Sequence, residues 1–318
     1  MNLLKLRLSM FGTLALIFGL STGFLMVVLL VTGTFNIFTL PIFVVGFNLV
    51  QWLIAPYIID AIYRVKEVSR SEESNLYNTV ERLSSRSGIK MPRVMIADIP
   101  IPNAFAYGSP LAGSRVAVTK GLLNKLEDEE VEAVIGHELG HLKHRDAQIM
   151  MLASLLPAMF YYIGYSLLYA PRGRDEGRGS LLGAMGVGSV LLYWVLSFLV
   201  LGLSRLREYY ADRHSAETVD DGARKLSEGL AKIALSTGRM RLHRNTSGFS
   251  SFKTLFISDP GASGDDAVQM MKTGMVESDQ RLVKEILSRG PTPMGGLLEL
   301  FSTHPSTVKR LKALQELR

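Results

Sequence analysis

Four long blocks of this sequence carry no charge at all, and they decide what the chain can fold into. They run over Met10–Thr32, Phe35–Ile59, Ala147–Ala170 and Leu181–Leu203. Each exceeds the roughly 20 residues that a helix needs to cross a hydrocarbon slab about 30 Å thick. The competing reading is a buried core helix, but core helices rarely run that far without a charge. Pro41, Pro56 and Pro157 fall in these blocks without forbidding a span, because packed neighbours re-satisfy the freed carbonyls. Asn48 and Gln51 lie mid-block, where hydrogen bonds between helices are expected. Gly19 and Gly23 form a G-x-x-x-G, a weak sign of close helix packing. Outside the blocks the chain reads as soluble. The 318 residues are 47% hydrophobic and only 20% charged, against about 25% charge for an average soluble domain. Disorder, collagen and disulfide scaffolds are thereby excluded. With no cysteine, thiolate metal sites and cysteine nucleophiles are excluded too, so any metal must be held by His, Asp or Glu.

The first block follows Lys5 and Arg7, as the core of a signal peptide would. It is longer than the usual 7–15 residues and no clear A-x-A site follows, so it reads as a retained anchor. Lys and Arg then give the orientation. Lys5 and Arg7 precede the first block, the loop at 33–36 has neither, and Arg64, Lys66 and Arg70 follow the second. Both termini are expected in the cytoplasm. The loop with Arg172, Arg174 and Arg178 resists this assignment, since it should lie outside yet is basic. The net charge of +6 fits a membrane-apposed surface better than nucleic-acid binding.

The soluble stretches are 64–146 and 204–318. Ser69 to Glu72 fits a capping box ahead of a helix carrying Leu76, Val80 and Leu83, which ends by Gly88. Strand-like runs follow at Arg93–Asp98, Ala104–Tyr107 and Arg115–Val118. A helix starts near Asp128, and others are expected near 204–218, 221–236, 278–288 and 305–317. Leu242–Gly274 reads as a long loop. The division is 1–63 as one apolar hairpin, 64–146 and 204–318 as two parts of one domain, and 147–203 as a second hairpin inserted between them.

On the helix from Asp128 stands His137-Glu138-Leu139-Gly140-His141. Four residues turn a helix by about 400°, so both imidazoles face the same way about 6 Å apart along the axis. That suits a zinc ion at about 2.1 Å from each nitrogen. Glu138 lies too far round to share the ion, but can reach a water there as general base. A third ligand is needed. His144 is about 10 Å from His137 along the axis and cannot reach the same ion. Glu208, with Asp212 one turn on, suits a ligand with a carboxylate that accepts a ligand histidine's other N–H. A polar helix face paired with Arg205 and Arg213 would look the same. Two blocks separate His141 from Glu208, an even number, so they lie on one side of the membrane.

These residues carry a family resemblance. The chain resembles the HtpX-type membrane zinc metalloproteases, relatives of the CaaX prenyl proteases, through most of its length. The resemblance rests on the paired N-terminal blocks, Asn103-Ala104-Phe105-Ala106, His137 to Asp146, the second hairpin, Glu208 to Asp212, and His304-Pro305 to Arg310. It implies a mainly α-helical membrane protein with a small β-sheet. Four transmembrane helices would carry a cytoplasmic gluzincin-like metalloprotease domain split by the second hairpin. It implies one Zn2+, held by His137, His141 and Glu208, with Glu138 as base. Asn103, Ala104 and Phe105 would lie in an edge strand beside the substrate. His304 would help stabilise the oxyanion, with Arg310 nearby. From the residues alone, Pro305 suits the first position of the last helix, leaving His304 a cap-region residue. The expected activity is cleavage of misfolded or membrane proteins at the cytoplasmic face of the cell membrane. A prenyl-peptide protease and an inactive scaffold with a structural zinc are the alternatives. Peptides and the lipid bilayer are the expected partners, and nucleic acid is not.

Overall fold

A computed structural model describes residues 39–169, 176–243, 279–289 and 299–317. The first apolar block, with Gly19 and Gly23, lies outside these residues, as do Arg172, Arg174 and most of the 242–274 stretch. The described elements are α1 (Thr39–Tyr63), β1 (Val65–Glu67), α2 (Ser74–Ser87), β2 (Arg93–Ala97), β3 (Ala104–Ser109), β4 (Gly113–Thr119), α3 (Lys120–Leu123), α4 (Asp128–Lys143), α5 (Asp146–Leu168), α6 (Glu176–Thr218), α7 (Gly222–His243), α8 (Asp279–Arg289) and α9 (Thr307–Gln315). The described residues are mainly helical with one small mixed sheet. Among the described residues, three helices are long and apolar enough to cross a membrane, over Ile42–Tyr63, Asp146–Leu168 and Leu181–Thr218. Their large apolar side chains, such as Phe43, Val50, Leu152, Leu191 and Val195, point outward.

The residues group into two compact units. One takes the described residues up to Leu53 together with Gln148–Leu206; the other takes Ile54–Ala147 together with Arg207 onward. In the first unit Val44, Ala158 and Tyr162 make a small buried cluster. Asn48 differs from expectation: its amide donates to the Val44 carbonyl of its own helix at 2.6 Å, so that bond is intrahelical.

In the second unit the strands run in the order β1-β2-β4-β3, with β2 and β4 parallel and the outer pairs antiparallel. β1 escapes sequence reading because Val-Lys-Glu has no apolar alternation. One face of the sheet, through Val94, Val116 and Val118, meets Leu83 of α2, Val134 and Leu139 of α4, and Leu226 and Leu230 of α7. Ile286 of α8 and Leu311 of α9 close the same core. Ser69 bonds Glu72 through both backbone and hydroxyl, yet α2 begins five residues after Ser69, at Ser74; the pair caps a preceding turn instead. The working capping box is at α4, where Glu127 and Glu130 satisfy each other's amides.

α4 is buried on every side from Val131 to Gly140 except at Glu132, so its polar residues must find partners inside. Its glycines explain how closely α6 approaches. A Cβ on Gly140 would meet the Ala211 Cα at 3.1 Å, and one on Gly136 would meet the Ser215 hydroxyl, also of α6, at 3.1 Å.

Candidate metal centre

The backbone of α4 brings His137 and His141 together one turn apart. Their rings meet edge to face with centroids 4.7 Å apart, and their Nε2 atoms are 3.2 Å apart. α6 adds Glu208 across the glycine contact. Its Oε2 lies 3.5 Å from His137 Nε2, and its Oε1 3.6 Å from His141 Nε2. Donors set tetrahedrally at about 2.1 Å around one ion stand about 3.4 Å from each other. The three spacings therefore fit one zinc. Glu208 is buried, yet neither of its oxygens receives a hydrogen bond. A buried carboxylate without hydrogen bonds is costly unless cations stand beside it, and Arg310 and Arg207 reach it only at 3.3 and 3.6 Å. Nitrogens of His137 and His141 and an oxygen of Glu138 also lie within 4.8 Å of one another. Glu138, however, accepts the Ala106 N–H of β3 at 2.8 Å, which engages its carboxylate.

Behind each histidine stands a carboxylate, and behind each carboxylate an arginine. Asp212 Oδ1 is 2.9 Å from His137 Nδ1. Arg310, fully buried, grips Asp212 with two bonds, Nε to Oδ2 at 2.9 Å and Nη2 to Oδ1 at 2.5 Å. Its Nη1 also lies 3.3 Å from Glu208 Oε2. On the other side Asp146 accepts from His141 Nδ1 at 2.6 Å, with Arg207 Nε at 3.4 Å from the same oxygen. Four buried carboxylates (Glu138, Asp146, Glu208, Asp212) thus face two guanidinium groups, a balance that favours a cation.

The histidines titrate differently. Burial holds His137 down, but its bond to Asp212 and the nearby carboxylate of Glu208 outweigh this and carry it up to about 9. Burial, and then the charge of Arg207, hold His141 well below the usual imidazole value. Burial pushes Glu138 up to about 7.

His304 is buried with Nδ1 3.4 Å from Glu208 Oε2, and neither ring nitrogen has a hydrogen-bond partner. The cap reading of this residue fails on position: α9 begins at Thr307, and its cap is Ser306, whose hydroxyl accepts from Lys309 N–H. Asn103, also buried, is fixed by its backbone, donating to Thr119 Oγ1 and accepting from Thr119 N–H, each at 2.9 Å. With the Asn103 carbonyl turned toward β4, the alternation of a strand turns the amides and carbonyls of Ala104, Ala106 and Gly108 to the open edge of β3. The Phe105 ring packs on Tyr63 and Tyr107. His144 stands apart, its ring against Tyr210 and His214.

Sequence reasoning gave no role to Asp146, Arg207 or Ala106. Asp146 follows His141 by five residues, off its helical face. It turns back because Arg145 adopts a left-handed conformation, φ 53°, between α4 and α5. Arg207 had a signal in being next to Glu208. Ala106 acts through its backbone, which leaves none.

Residues 70–318 match the profile of Peptidase family M48. The "Protease HtpX homolog" of Thermoplasma acidophilum is 39% identical, over 100% of this chain and 99% of that protein. The "Protease HtpX homolog" of Aeropyrum pernix is 41% identical, over 90% of this chain and 88% of its own length. Among solved structures, S. mikatae Ste24p superposes with a TM-score of 0.54 at 17% identity, covering 95% of this chain and 64% of that one. That likeness speaks for the fold.

Proposed function

The chain belongs to Peptidase family M48, and from that premise we propose that it is a zinc-dependent endopeptidase of the membrane, with His137, His141 and Glu208 as ligands. The observation that carries the reading is the near-equal spacing of His137, His141 and Glu208 from one another, with no hydrogen bond to either oxygen of that Glu208 carboxylate. His137, His141 and Glu208 would hold the zinc, which when bound would supply Lewis-acid polarisation of the scissile carbonyl and a more acidic attacking water. Glu138 takes the proton of that water and passes it to the leaving amine. The Ala106 N–H holds the Glu138 carboxylate in place for this. Asp212 and Asp146 fix the tautomers and orientations of the two ligand rings. Arg310 compensates Asp212 and Glu208. We assign His304, whose Nδ1 lies 3.4 Å from Glu208 Oε2, the role of donor to the oxyanion. Within Asn103–Phe105 it is Ala104 that turns its backbone to the open edge of β3, and there it pairs with the substrate backbone, with Asn103 and Phe105 holding the strand in place.

We infer further that the active site faces the cytoplasm, that a fourth span precedes those described, that the second apolar hairpin divides the catalytic domain, and that the substrates are misfolded or membrane proteins. The likeness to Ste24p keeps prenyl-peptide cleavage as the second reading, although this chain spans 64% of that structure's length. Digestion of casein and of a membrane-anchored reporter, with and without chelator, tests the activity. Glu138→Gln should keep stoichiometric zinc by metal analysis and lower cleavage by about 100- to 10,000-fold. Lost zinc, or undiminished cleavage, overturns the assignment.

A further inference from the structure

The hairpin of β3 and β4 is unusual for one that ends in solvent. From Ile99 to Ser114 the sequence has no charged residue, and its turn is Ser109-Pro110-Leu111-Ala112-Gly113. Pro110 and Leu111 stand outward, with Leu111 67% exposed. The turn is nonetheless built, since the Ala112 N–H donates to Ser109 Oγ.

The hairpin lies along the last turns of α1, and the direction is readable. Phe105 packs on Tyr63, with ring centroids 5.6 Å apart. Nearer the turn, the Tyr107 hydroxyl donates to Asp60, and the Arg115 guanidinium pairs with Asp60 and covers the Tyr57 ring at 5.3 Å. Moving from Phe105 to Tyr107 along β3 therefore means moving back along α1, from Tyr63 toward Tyr57 and into its apolar stretch. The turn lies roughly 10 Å beyond Tyr107, at about 3.3 Å per residue. On the helix, Ile54, Tyr57, Ile58 and Ile62 are exposed and apolar. Asp60 is the sole charge in α1, and its partner Arg115 is the first charge after the turn; each neutralises the other where either alone would be costly. Tyr57 and Tyr107 flank the pair, the residue type that favours the level between acyl chains and water.

We propose that the β3–β4 turn, at Pro110 and Leu111, dips into the bilayer beside α1, with the Asp60–Arg115 pair at the membrane–water boundary. The occupant of this apolar surface is lipid, by continuity with a helix long and apolar enough to span. The consequence deepens the proposed function and rests on it. β3 is the edge strand whose Ala106 N–H reaches Glu138, and its other end is in the membrane. A chain pairing with β3 runs from bilayer to base over about five extended residues, roughly 16 Å. The favoured substrate is a polypeptide still anchored in the membrane, cut a few residues beyond its apolar segment.

The chain has no cysteine, so an introduced thiol takes a label alone. Leu111→Cys in the full-length protein is labelled with an environment-sensitive fluorophore and reconstituted in phosphatidylethanolamine–phosphatidylglycerol vesicles. Lys125→Cys, on an exposed residue after α3, is the aqueous control. The label at 111 should emit to the blue, be quenched by doxyl lipids and be spared by iodide, with the reverse at 125. Quenching by iodide at 111 overturns the proposal. Protection from both quenchers overturns it too, because the turn would then face protein. This measurement needs no activity, so it stands apart from the fate of the protease reading. Leu111→Asp should then lower cleavage of a membrane-anchored reporter several-fold relative to soluble casein. An unchanged ratio overturns the substrate preference.

Discussion

His137 and His141 come from one helix, one turn apart, yet their surroundings pull in opposite directions. His137 is wholly buried and backed by Asp212 and a fully buried Arg310, and its affinity for protons rises to about 9. His141 keeps some exposure, is backed by Asp146 with the half-buried Arg207, and its proton affinity falls well below the ordinary. Two histidines that are equal by motif are thus unequal by environment. His141 is ready for a metal as a neutral ring. His137 must first give up a proton that Asp212 and Glu208 help it keep. A HExxH segment fixes which atoms converge, and the rest of the fold fixes how tightly each competes with protons.

The largest effect should come from removing what the two histidines share. Glu208 approaches both within 3.6 Å. Glu208→Ala is expected to strip zinc from the purified protein, while His144→Ala, at a ring that faces Tyr210 and His214, keeps it. Metal analysis of the two variants decides, and the opposite outcome dissolves the pairing of α4 with α6. Next comes His304→Ala, expected to retain zinc and lose about 100- to 1,000-fold in turnover per folded molecule, because an oxyanion donor acts in the transition state. Normal turnover would leave His304 without a chemical role.

The comparison is sharpest in its two carboxylates. Asp212→Ala should weaken zinc binding by about 100-fold and Asp146→Ala by about 10-fold, the two ends of the usual range for such supporting groups. The asymmetry follows from the arginines: Arg310, 2% exposed, would lose the carboxylate that binds it twice, whereas Arg207, 17% exposed, approaches Asp146 only at 3.4 Å. Equal losses in a chelator competition would erase the distinction. The smallest effect is in pH. Below about 9 zinc must displace a proton from His137, so affinity should climb about tenfold per pH unit up to that value and then level. The same raised value stabilises the metal-free fold. That contribution is complete below the ordinary histidine value of 6.5 and is lost as pH rises through about 9. Thermal unfolding of chelated protein at pH 6 and 9 measures it, and greater stability at pH 9 contradicts it.

Much of this was legible in the chain. Helical periodicity alone aligned His137 with His141 and Glu208 with Asp212, because spacing on one helix is fixed by its pitch. Three strands were readable from apolar runs, whereas β1 was hidden by its charges. The change from apolar to charged residues near Leu203 suggested an end to the fourth block, but α6 continues unbroken from Glu176 to Thr218; composition changes which solvent a helix meets, not its hydrogen bonds. Asp146 was unreadable because its position depends on one left-handed residue, Arg145. Arg310 reaches Asp212 across 98 positions of sequence, and no local spacing encodes such a meeting.

The contact between α4 and α6 has a consequence for tolerance. A zinc–ligand bond admits variation of about 0.2 Å, while a single methyl group stands about 1.5 Å from its Cα. Gly140 has 3.1 Å between the place of its missing Cβ and the backbone of Ala211, one residue before Asp212, and Gly136 has the same 3.1 Å to the Ser215 hydroxyl. These glycines therefore act as the gauge of the site. They touch no metal, yet they set the distance at which one helix's histidines meet the other's carboxylate, and the margin they leave is smaller than any side chain.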